Sequence, residues 1–429
     1  MKLKQALLHN TGWKIITMFF IFLSNIIIVR MLGVEASADL FYALAAFTLL
    51  STILRLGLEN GIVYFVSKKP EKTKPVALLL LAVLVIQTII TIIVLKFFAK
   101  EIVDYTFFWC VLFIMSNVLV YYVSAFYQVK RMYISLNISG CIIVLCQTIL
   151  LYYLYLSKPN LLLFRDIAKN RNDLILIISA SGILLQMIFL CINFYKENKE
   201  DFKYLPQQPN ITKDIFSYSI INFGVTVLFF LVLRADLYFV DKYCAKTSLG
   251  NYLQAAKIGQ MLLVFPGLIA GVIFPYTINA AQVLAGKVAL LCRLLTFLFV
   301  IAFVGFLIIG PYIFTWLLGK DFNLMYGILT ASFLGIYFLS VSLLILSYFG
   351  GINKQAIVLW AFSATFFIIV VADYILVPVY GYIAAAVVFS VANFVGLVII
   401  LMNFKKETSI LYYEMFLIKK SDKNFLTSS

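Results

Sequence analysis

Apolar runs of about 20 residues, the length of a helix that crosses roughly 30 Å of bilayer hydrocarbon, follow one another along almost the whole chain. The composition agrees, because 63% of the 429 residues are hydrophobic and only 12% are charged. A soluble protein has about 25% charged residues to cover its surface. The short alternating segments of a transmembrane β-barrel are absent from the sequence. We therefore predict an all-α integral membrane protein with little of its chain outside the bilayer.

Polar breaks divide the sequence into about twelve predicted transmembrane helices. The predicted spans lie near 13–32, 40–66, 75–95, 105–127, 133–156, 174–195, 215–240, 251–278, 291–317, 324–349, 355–377 and 381–402. The first run is longer than the core of a signal peptide, so we expect it to remain as a helix. An even number of spans places both termini on one side of the membrane.

Basic residues outside the spans are distributed unequally between the two sides. The loops at 68–74 and 196–214 and both termini are rich in lysine, whereas the loop at 157–173 carries fewer basic residues. Because cytoplasmic loops carry the excess of lysine and arginine, both termini are predicted to be cytoplasmic. The net charge of +15 follows largely from this bias. It indicates attraction to anionic lipids rather than nucleic-acid binding.

The longest cytoplasmic connection falls between the sixth and seventh spans, at the midpoint of the bundle. It predicts an N-terminal six-helix lobe at 1–195, a linker at 196–214, a C-terminal six-helix lobe at 215–402 and a cytoplasmic tail at 403–429. A weak internal repeat supports two related lobes, since Gly57, Leu58 and Gly61 recur at a constant offset as Gly267, Leu268 and Gly271. Lobes with the same orientation would be related by a pseudo-twofold axis along the membrane normal.

Several ionisable residues fall inside predicted spans, where each costs roughly 2.5–3.5 kcal/mol near the bilayer centre and therefore suggests a function. They are Arg55, Glu59, Arg234, Asp236, Lys257 and Asp373, and Arg30 ends the first span. Arg55 and Glu59 are four residues apart and should share a helix face. Arg30 is placed so that its charge can reach the interface.

Neutral polar residues form stripes beside these charges. The candidates for a polar cavity are Asn117, Tyr121, Ser124, Gln186, Asn222 and Gln254. On an ideal helix Asp236 returns to the face of Asn222, and Arg234 points away from Asp236. Each stripe alone is equally consistent with hydrogen bonds that hold neighbouring helices together. The stripes and the central charges together favour a water-filled cavity.

Motifs for cofactors and catalysis are missing. No complete phosphate-binding loop occurs, which excludes a nucleotide-driven transporter with its own nucleotide domain. The six cysteines show no metal-binding spacing, and a single histidine excludes a histidine-based metal centre or a Ser-His triad within one chain. No loop exceeds about 20 residues, which leaves no extramembrane catalytic domain. We therefore expect a non-enzymatic protein with no cofactor and no metal.

Five local segments carry a resemblance to a known family. They are "VRMLG" (Val29–Gly33), "RLGLENGIVYFVSK" (Arg55–Lys68), "RADLYFVDKY" with "SLGNYLQAAKIG" (Arg234–Gly259) followed by "FP" (Phe274-Pro275) at the end of the eighth span, "WLLGKDF" (Trp316–Phe322) and "LVPVYGYIAAAVVFS" (Leu376–Ser390). In this order, with twelve spans, the sequence resembles the polysaccharide-export flippases of the multidrug/oligosaccharidyl-lipid/polysaccharide (MOP) superfamily. Members move undecaprenyl-diphosphate-linked oligosaccharides, such as O-antigen units.

The resemblance implies a V-shaped bundle of two lobes that alternates between inward-open and outward-open forms. It also implies transport of a lipid-linked oligosaccharide repeat unit to the outer leaflet for O-antigen or capsule biosynthesis. On this reading the diphosphate and sugar acids are bound by Arg55 and Lys257, with Arg30 and Arg234 guiding entry. Charge tuning or a coupling ion is assigned to Glu59, Asp236 and Asp373. A polysaccharide polymerase and a chain-length regulator are the expected protein partners.

Three alternatives remain open. A cation-coupled multidrug exporter of the same superfamily would favour an acidic cavity, whereas the bases here at least equal the acids. A lipid II flippase of the superfamily would usually carry two more helices. A membrane-embedded polysaccharide polymerase would need large outer loops with reactive groups, and the outer loop at 157–173 offers only Arg165, Asp166 and Asp173.

Overall fold

The computed structural model describes residues 3–68, 73–97, 105–130, 132–157, 170–199 and 211–417. The described chain is helical throughout, apart from short turns. The twelve α-helices are α1 (Leu3–Leu54), α2 (Leu58–Lys68), α3 (Thr73–Phe97), α4 (Phe107–Val129), α5 (Tyr133–Ser157), α6 (Arg171–Glu197), α7 (Ile211–Val232), α8 (Ala235–Tyr243), α9 (Lys246–Leu318), α10 (Met325–Gly351), α11 (Gln355–Tyr380) and α12 (Tyr382–Thr408). The prediction of an all-α membrane protein is confirmed.

Eleven helical stretches of the described chain are long and apolar enough to cross a membrane. The first of them, Gly12–Leu54, is 43 residues long and contains the first predicted span and part of the second. Gly33 interrupts it with φ 80° and ψ 178°, a backbone conformation outside the helical region. The difference between eleven and twelve is therefore one long stretch with a glycine kink inside it.

Three predicted span boundaries are wrong. The second span, 40–66, is broken between α1 and α2, and the seventh, 215–240, is broken between α7 and α8. The loop expected between 278 and 291 is helical instead, because α9 runs without interruption from Lys246 to Leu318. The connecting sequence is rich in alanine, the strongest helix former, which explains why a polar break was not enough to end the helix there.

Residue contacts divide the chain into two compact units, Met1–Val227 and Leu228–Ser429. The dividing point lies inside α7, beyond the predicted linker at 196–214. Most of that linker, most of the loop at 157–173 and the tail from 418 onward lie outside the described residues, so the lobe boundaries stay a prediction. Inside the first unit α1 packs against α5 and α4 against α6.

Inside the second unit α10 packs against α9 and α12, and small residues allow close approach. The Ser390 hydroxyl donates to the Ala331 carbonyl at 2.6 Å and accepts from the Gly335 amide at 3.1 Å. A Cβ atom at Gly335 would lie 2.8 Å from the Ser390 Cα. Such pairs of small residues are the usual way in which membrane helices pack without a hydrophobic driving force.

The end of α12 turns back onto α9. Ser409 caps α12 with φ 60°, and the short 3-10 helix Tyr412–Met415 follows. Met415 is fully buried, and the buried Arg293 of α9 donates to the carbonyl oxygen of Glu414. The residues after α12 are thus an integral part of the second unit.

Candidate functional site

The first candidate feature is the break between α1 and α2, residues 55–57, which we name the Arg55 break. Leu56 and Gly57 both adopt positive φ angles, 53° and 66°. The Leu58 amide bonds to the Arg55 carbonyl at 3.0 Å, as in a 3-10 turn. In a continuous helix it would bond to Leu54. The Leu54 carbonyl therefore loses its helical donor inside a membrane span.

Side chains from α3 and α4 satisfy the carbonyl groups of this break. Gln87 donates its amide Nε2 to the Leu54 carbonyl at 2.5 Å and to the Tyr122 hydroxyl at 2.7 Å. Tyr122 in turn donates to the Arg55 carbonyl at 3.3 Å. Because the bilayer core offers no water to exposed backbone groups, these two side chains make the break tolerable.

The Arg55 side chain is buried and engaged on several sides. Its Nη1 lies 3.3 Å from Glu59 Oε1, and its Nη2 donates to the Thr52 hydroxyl at 3.0 Å. Its Cζ lies 3.7 Å from the centroid of the Tyr121 ring, a cation–π contact. The two charges face each other as the four-residue spacing predicts, although the helix is broken between them. In this conformation the guanidinium is neutralised by Glu59 and covered by Tyr121.

Helix α7 lies directly against the Arg55 break. A Cβ atom built at Gly57 would lie 2.7 Å from the Ser219 carbonyl oxygen and 2.8 Å from the Phe223 amide nitrogen. Both neighbours are backbone atoms, which cannot move without shifting the helix. Glycine at 57 is thus required both by its positive φ and by the close approach of α7.

The second candidate feature is the turn at Leu233 and Arg234 between α7 and α8, which we name the Arg234 break. The Arg234 Nη2 donates to Gln260 Oε1 of α9 at 2.7 Å. The break also removes the basis of one prediction. The placement of Asp236 on the face of Asn222 assumed an ideal helix from one residue to the other, and the turn at Leu233 and Arg234 ends that helix between them.

Asp236 is buried and bonded to groups other than Arg234. Its Oδ2 accepts from the Tyr252 hydroxyl at 2.5 Å, and its Oδ1 accepts from the Leu237 amide at 2.9 Å. The two neighbouring charges therefore have different hydrogen-bond partners: Arg234 donates to the amide oxygen of Gln260, and Asp236 accepts from the phenol of Tyr252. This agrees with the expectation that they do not form a simple side-by-side salt bridge.

A cavity within the second unit brings these side chains to one place. Its polar lining consists of Asp236, Tyr252, Gln260 and Ser332. The rest of the lining is apolar, formed by Leu233, Ala255, Ala256, Gly259, Leu263, Ile328, Ile336 and Phe389. An apolar pocket with a few converging polar groups is the usual form of a ligand site.

Two further predicted residues lie near this cavity. Asp373 of α11 is fully buried, neither of its carboxylate oxygens has a hydrogen-bond partner, and Asp236 lies within electrostatic range. Lys257 of α9 is half-buried and within electrostatic range of Arg234. The second unit thus collects two cations and two acids around one break.

The remaining predicted residues differ in their exposure. Arg30 is exposed, and Asn117 donates to the Phe113 carbonyl of its own helix at 2.9 Å. Tyr121 is exposed on its outer side, and Gln254 is buried. The half-buried members of the set are Ser124, Gln186 and Asn222. These contacts do not test the predicted polar cavity, which stays a prediction.

Sequence reasoning missed several residues that shape the two breaks and the cavity. They are Thr52, Gln87, Tyr122 and Tyr252 at the breaks and Ser332 in the cavity lining. Gln87 left a signal, since it is an amide in an otherwise apolar run of the third span, "LAVLVIQTIITIIVL". Among the residues that the structure describes, no three His, Cys, Asp or Glu side chains come together to hold a metal ion.

Comparison with known proteins relates this arrangement to a family. The sequence profile described as "Polysaccharide biosynthesis protein" matches residues 3–280. This match confirms the resemblance noted from the local segments. No curated protein matches the chain significantly in sequence.

Solved transporter structures share the fold. A mutant of the MATE transporter VcmN from Vibrio cholerae superposes with a TM-score of 0.72 at 11% identity, covering 96% of this chain and 97% of that one. The lipid II flippase MurJ in an inward closed conformation gives 0.69 at 15% identity, covering 92% and 87%. A MOP superfamily transporter from Pyrococcus furiosus, described as having a binding pocket of reverse polarity, gives 0.66 at 15% identity, covering 94% and 96%.

Proposed function

This chain belongs to the polysaccharide biosynthesis protein family, and on that premise we propose that it is a flippase for an undecaprenyl-diphosphate-linked oligosaccharide repeat unit. It would carry the unit from the inner to the outer leaflet of the bacterial cytoplasmic membrane for O-antigen or capsule biosynthesis. Both termini would face the cytoplasm. A polysaccharide polymerase and a chain-length regulator would act on the unit after its translocation.

The observation that carries the proposal is a pair of neighbouring cations, Arg234 at the Arg234 break and Lys257 on α9, one helical turn from the Gln260 that Arg234 contacts. Arg234 and Lys257 lie within electrostatic range of each other inside a membrane-embedded unit. Like charges so placed repel, and a diphosphate between them would relieve the repulsion through charge-assisted hydrogen bonds. The Arg234 guanidinium donates to the side-chain amide oxygen of Gln260, and a phosphate oxygen can take the place of this acceptor. These two residues are our first candidates for the head-group ligands.

The other predicted cations take secondary roles in this proposal. Arg55 is neutralised by Glu59 in the described conformation, so it would reach a substrate only after exchanging a partner. Arg30 is exposed at the end of the first predicted span, where it would meet an anionic head group during entry. Glu59 tunes Arg55, whereas Asp236 and Asp373 would tune the second unit or hold a coupling cation.

The buried acids support one alternative function. Asp236 and Asp373 lie within electrostatic range of each other, and Asp373 has no hydrogen-bond partner for either oxygen. Such a pair suits a cation-coupled multidrug exporter of the same superfamily, or coupling of flipping to a cation. A polymerase is disfavoured, because the related solved structures are transporters and a flippase.

The proposal is tested by replacing the neighbouring cations in a strain that lacks the native gene. Losing a hydrogen bond to a charged group costs about 1.5–3 kcal/mol, so Arg234→Gln and Lys257→Gln should each weaken head-group binding roughly 10- to 100-fold. Surface glycan should fall, and lipid-linked units should accumulate inside. The matched control is Lys242→Gln, since Lys242 is an exposed lysine on α8.

Two results would contradict the proposal. Normal surface glycan in the strain without the gene would exclude the flippase role for this chain. Efflux of cationic dyes that depends on Asp236 and Asp373, with glycan unaffected by Arg234→Gln and Lys257→Gln, would identify the exporter instead.

A further inference from the structure

The Arg55 break contains a strained residue in the middle of a predicted span. Leu56 has φ 53°, in the left-handed region that L-residues other than glycine, asparagine and aspartate rarely adopt. The other non-glycine residues of the described chain with positive φ are Asn353 and Ser409, and each follows the end of a predicted span, whereas Leu56 lies between α1 and α2 inside one predicted span. Backbone strain in the middle of a span, where no connecting loop requires it, commonly marks a part of the chain that changes conformation.

The hydrogen bonds around the break can be exchanged almost one for one. In the described form Leu58 donates to the Arg55 carbonyl, and Gln87 donates to the Leu54 carbonyl in its place. In a continuous helix the Leu58 amide would return to the Leu54 carbonyl, and Gln87 would keep its bond to Tyr122. The two forms therefore satisfy nearly the same backbone groups, which keeps their free energies close.

Straightening would also change the environment of Arg55. Its guanidinium is held between Thr52 on α1 and Glu59 on α2, so the two helices share one side chain across the break. When α2 moves relative to α1, this side chain must lose or exchange one of its partners. The break thus controls how firmly the charge of Arg55 is held.

We propose that the Arg55 break is a hinge that straightens during transport, and that Gln87 and Tyr122 are positioning residues that hold its broken form. The identity of the cargo comes from the proposed function, but the hinge itself does not depend on it. The close contact of Gly57 with the α7 backbone makes α7 the element that must yield when the hinge moves.

The first test measures transport with variants that favour one form. Leu56→Gly removes the cost of the left-handed conformation and weakens the continuous helix, so it should trap the broken form. The rate at which a lipid-linked oligosaccharide is flipped between the leaflets of proteoliposomes should fall roughly 5- to 30-fold, while the thermal stability of the protein stays equal or rises. The matched control is Ser409→Gly, which relieves the same φ at the end of α12 and should change the rate less than about twofold.

A second-site change separates the hinge from a folding defect. Gln87→Leu removes the hydrogen bond that replaces the helical donor at Leu54, which destabilises the broken form. Combined with Leu56→Gly, it should restore part of the lost transport. A Leu56→Gly protein that transports as fast as the wild type would contradict the hinge proposal. If the break never straightens, glycine at position 56 only relieves strain and leaves the transport rate unchanged.

The second test needs no substrate. Nitroxide labels at positions 53 and 60, both exposed and on either side of the break, are attached in a variant without the six native cysteines. Continuous-wave EPR should resolve two distances, with Leu56→Gly selecting one and Gln87→Leu enriching the other. One distance that neither change affects would contradict the hinge. Wild-type protein that flips no lipid-linked oligosaccharide, yet shows two distances, would contradict the proposed function alone.

Discussion

The Arg55 break and the Arg234 break use the same ingredients in different ways. Each places an arginine at the interruption of a membrane helix with an acid shortly after it in sequence, Glu59 in one and Asp236 in the other. In the first unit arginine and acid form a buried ion pair, 3.3 Å apart. In the second unit the arginine bonds to an amide and the acid to a phenol. A charge that is paired stabilises a conformation, whereas a charge on a neutral partner stays available to a ligand.

The largest expected difference between the two breaks is in the coupling free energy between the arginine and the acid of each break. Removing one partner of a buried ion pair costs about 3–5 kcal/mol, because the other charge is left uncompensated. Arg55→Gln should therefore lower the free energy of unfolding by that amount, and adding Glu59→Gln should restore most of it. For Arg234→Gln with Asp236→Asn the coupling should stay below about 1 kcal/mol, since each residue keeps its own partner.

Denaturant unfolding of the four single variants and the two double variants in mixed micelles measures both couplings. Membrane abundance of the same variants shows whether the effect persists in the cell. Equal couplings at the two breaks would remove the distinction between a paired and an available arginine.

Replacing the glycine nearest to each break with alanine, Gly57 in the first unit and Gly259 in the second, should produce a smaller difference in stability. At Gly57 a Cβ atom would meet backbone atoms of Ser219 and Phe223, and the residue has a positive φ. Strain of this kind costs roughly 1–3 kcal/mol. At Gly259 the Cβ atom would lie 2.8 Å from Ile336 Cδ1, the end of a flexible side chain, so the cost should stay below about 1 kcal/mol. Thermal unfolding of Gly57→Ala and Gly259→Ala measures this difference, and a reversed order would mean that α7 yields more easily than Ile336.

Effects on stability no larger than those of the glycines are expected from the glutamines. Gln87→Leu leaves the Leu54 carbonyl of the broken form unsatisfied in a buried place, which costs that form about 1–3 kcal/mol. Gln260→Leu should cost about 1 kcal/mol or less, since Gln260 lines a cavity where water can replace it. Its effect should instead appear in transport, because Arg234 loses the partner that positions it. Melting curves and flipping rates of the two variants test whether Gln87 contributes mainly to stability and Gln260 mainly to transport. A Gln260→Leu protein that loses stability but not transport would contradict this assignment.

The apolar runs predicted the fold because membrane helices must be long and apolar throughout. They could not locate the two breaks, since Leu56 is a residue that rarely takes a positive φ and nothing in "STILRLGLEN" except Gly57 indicates an interruption. The angular argument that linked Asn222 to Asp236 failed for the same reason. Helical periodicity predicts which residues share a face only along an unbroken helix.

The candidate site was predictable where charges stood out against an apolar background. Arg55, Glu59, Arg234, Asp236, Lys257 and Asp373 were all found in this way. Their partners were not, because Tyr122 and Tyr252 are two of the 26 tyrosines in the chain and nothing local distinguishes them. Which phenol meets which carbonyl or carboxylate is decided by the packing of distant helices.

The residues that follow α12 have a practical consequence for anyone who handles the protein. Met415 is fully buried, and the guanidinium of Arg293 bonds to the carbonyl of Glu414, so this stretch fills and closes one side of α9. An affinity tag or fluorescent reporter inserted before Leu417, or a protease site placed there, would uncover a buried cation and leave a hole the size of a methionine. Fusions belong beyond that point, so that Met415 and the Glu414 carbonyl keep their contacts with the second unit.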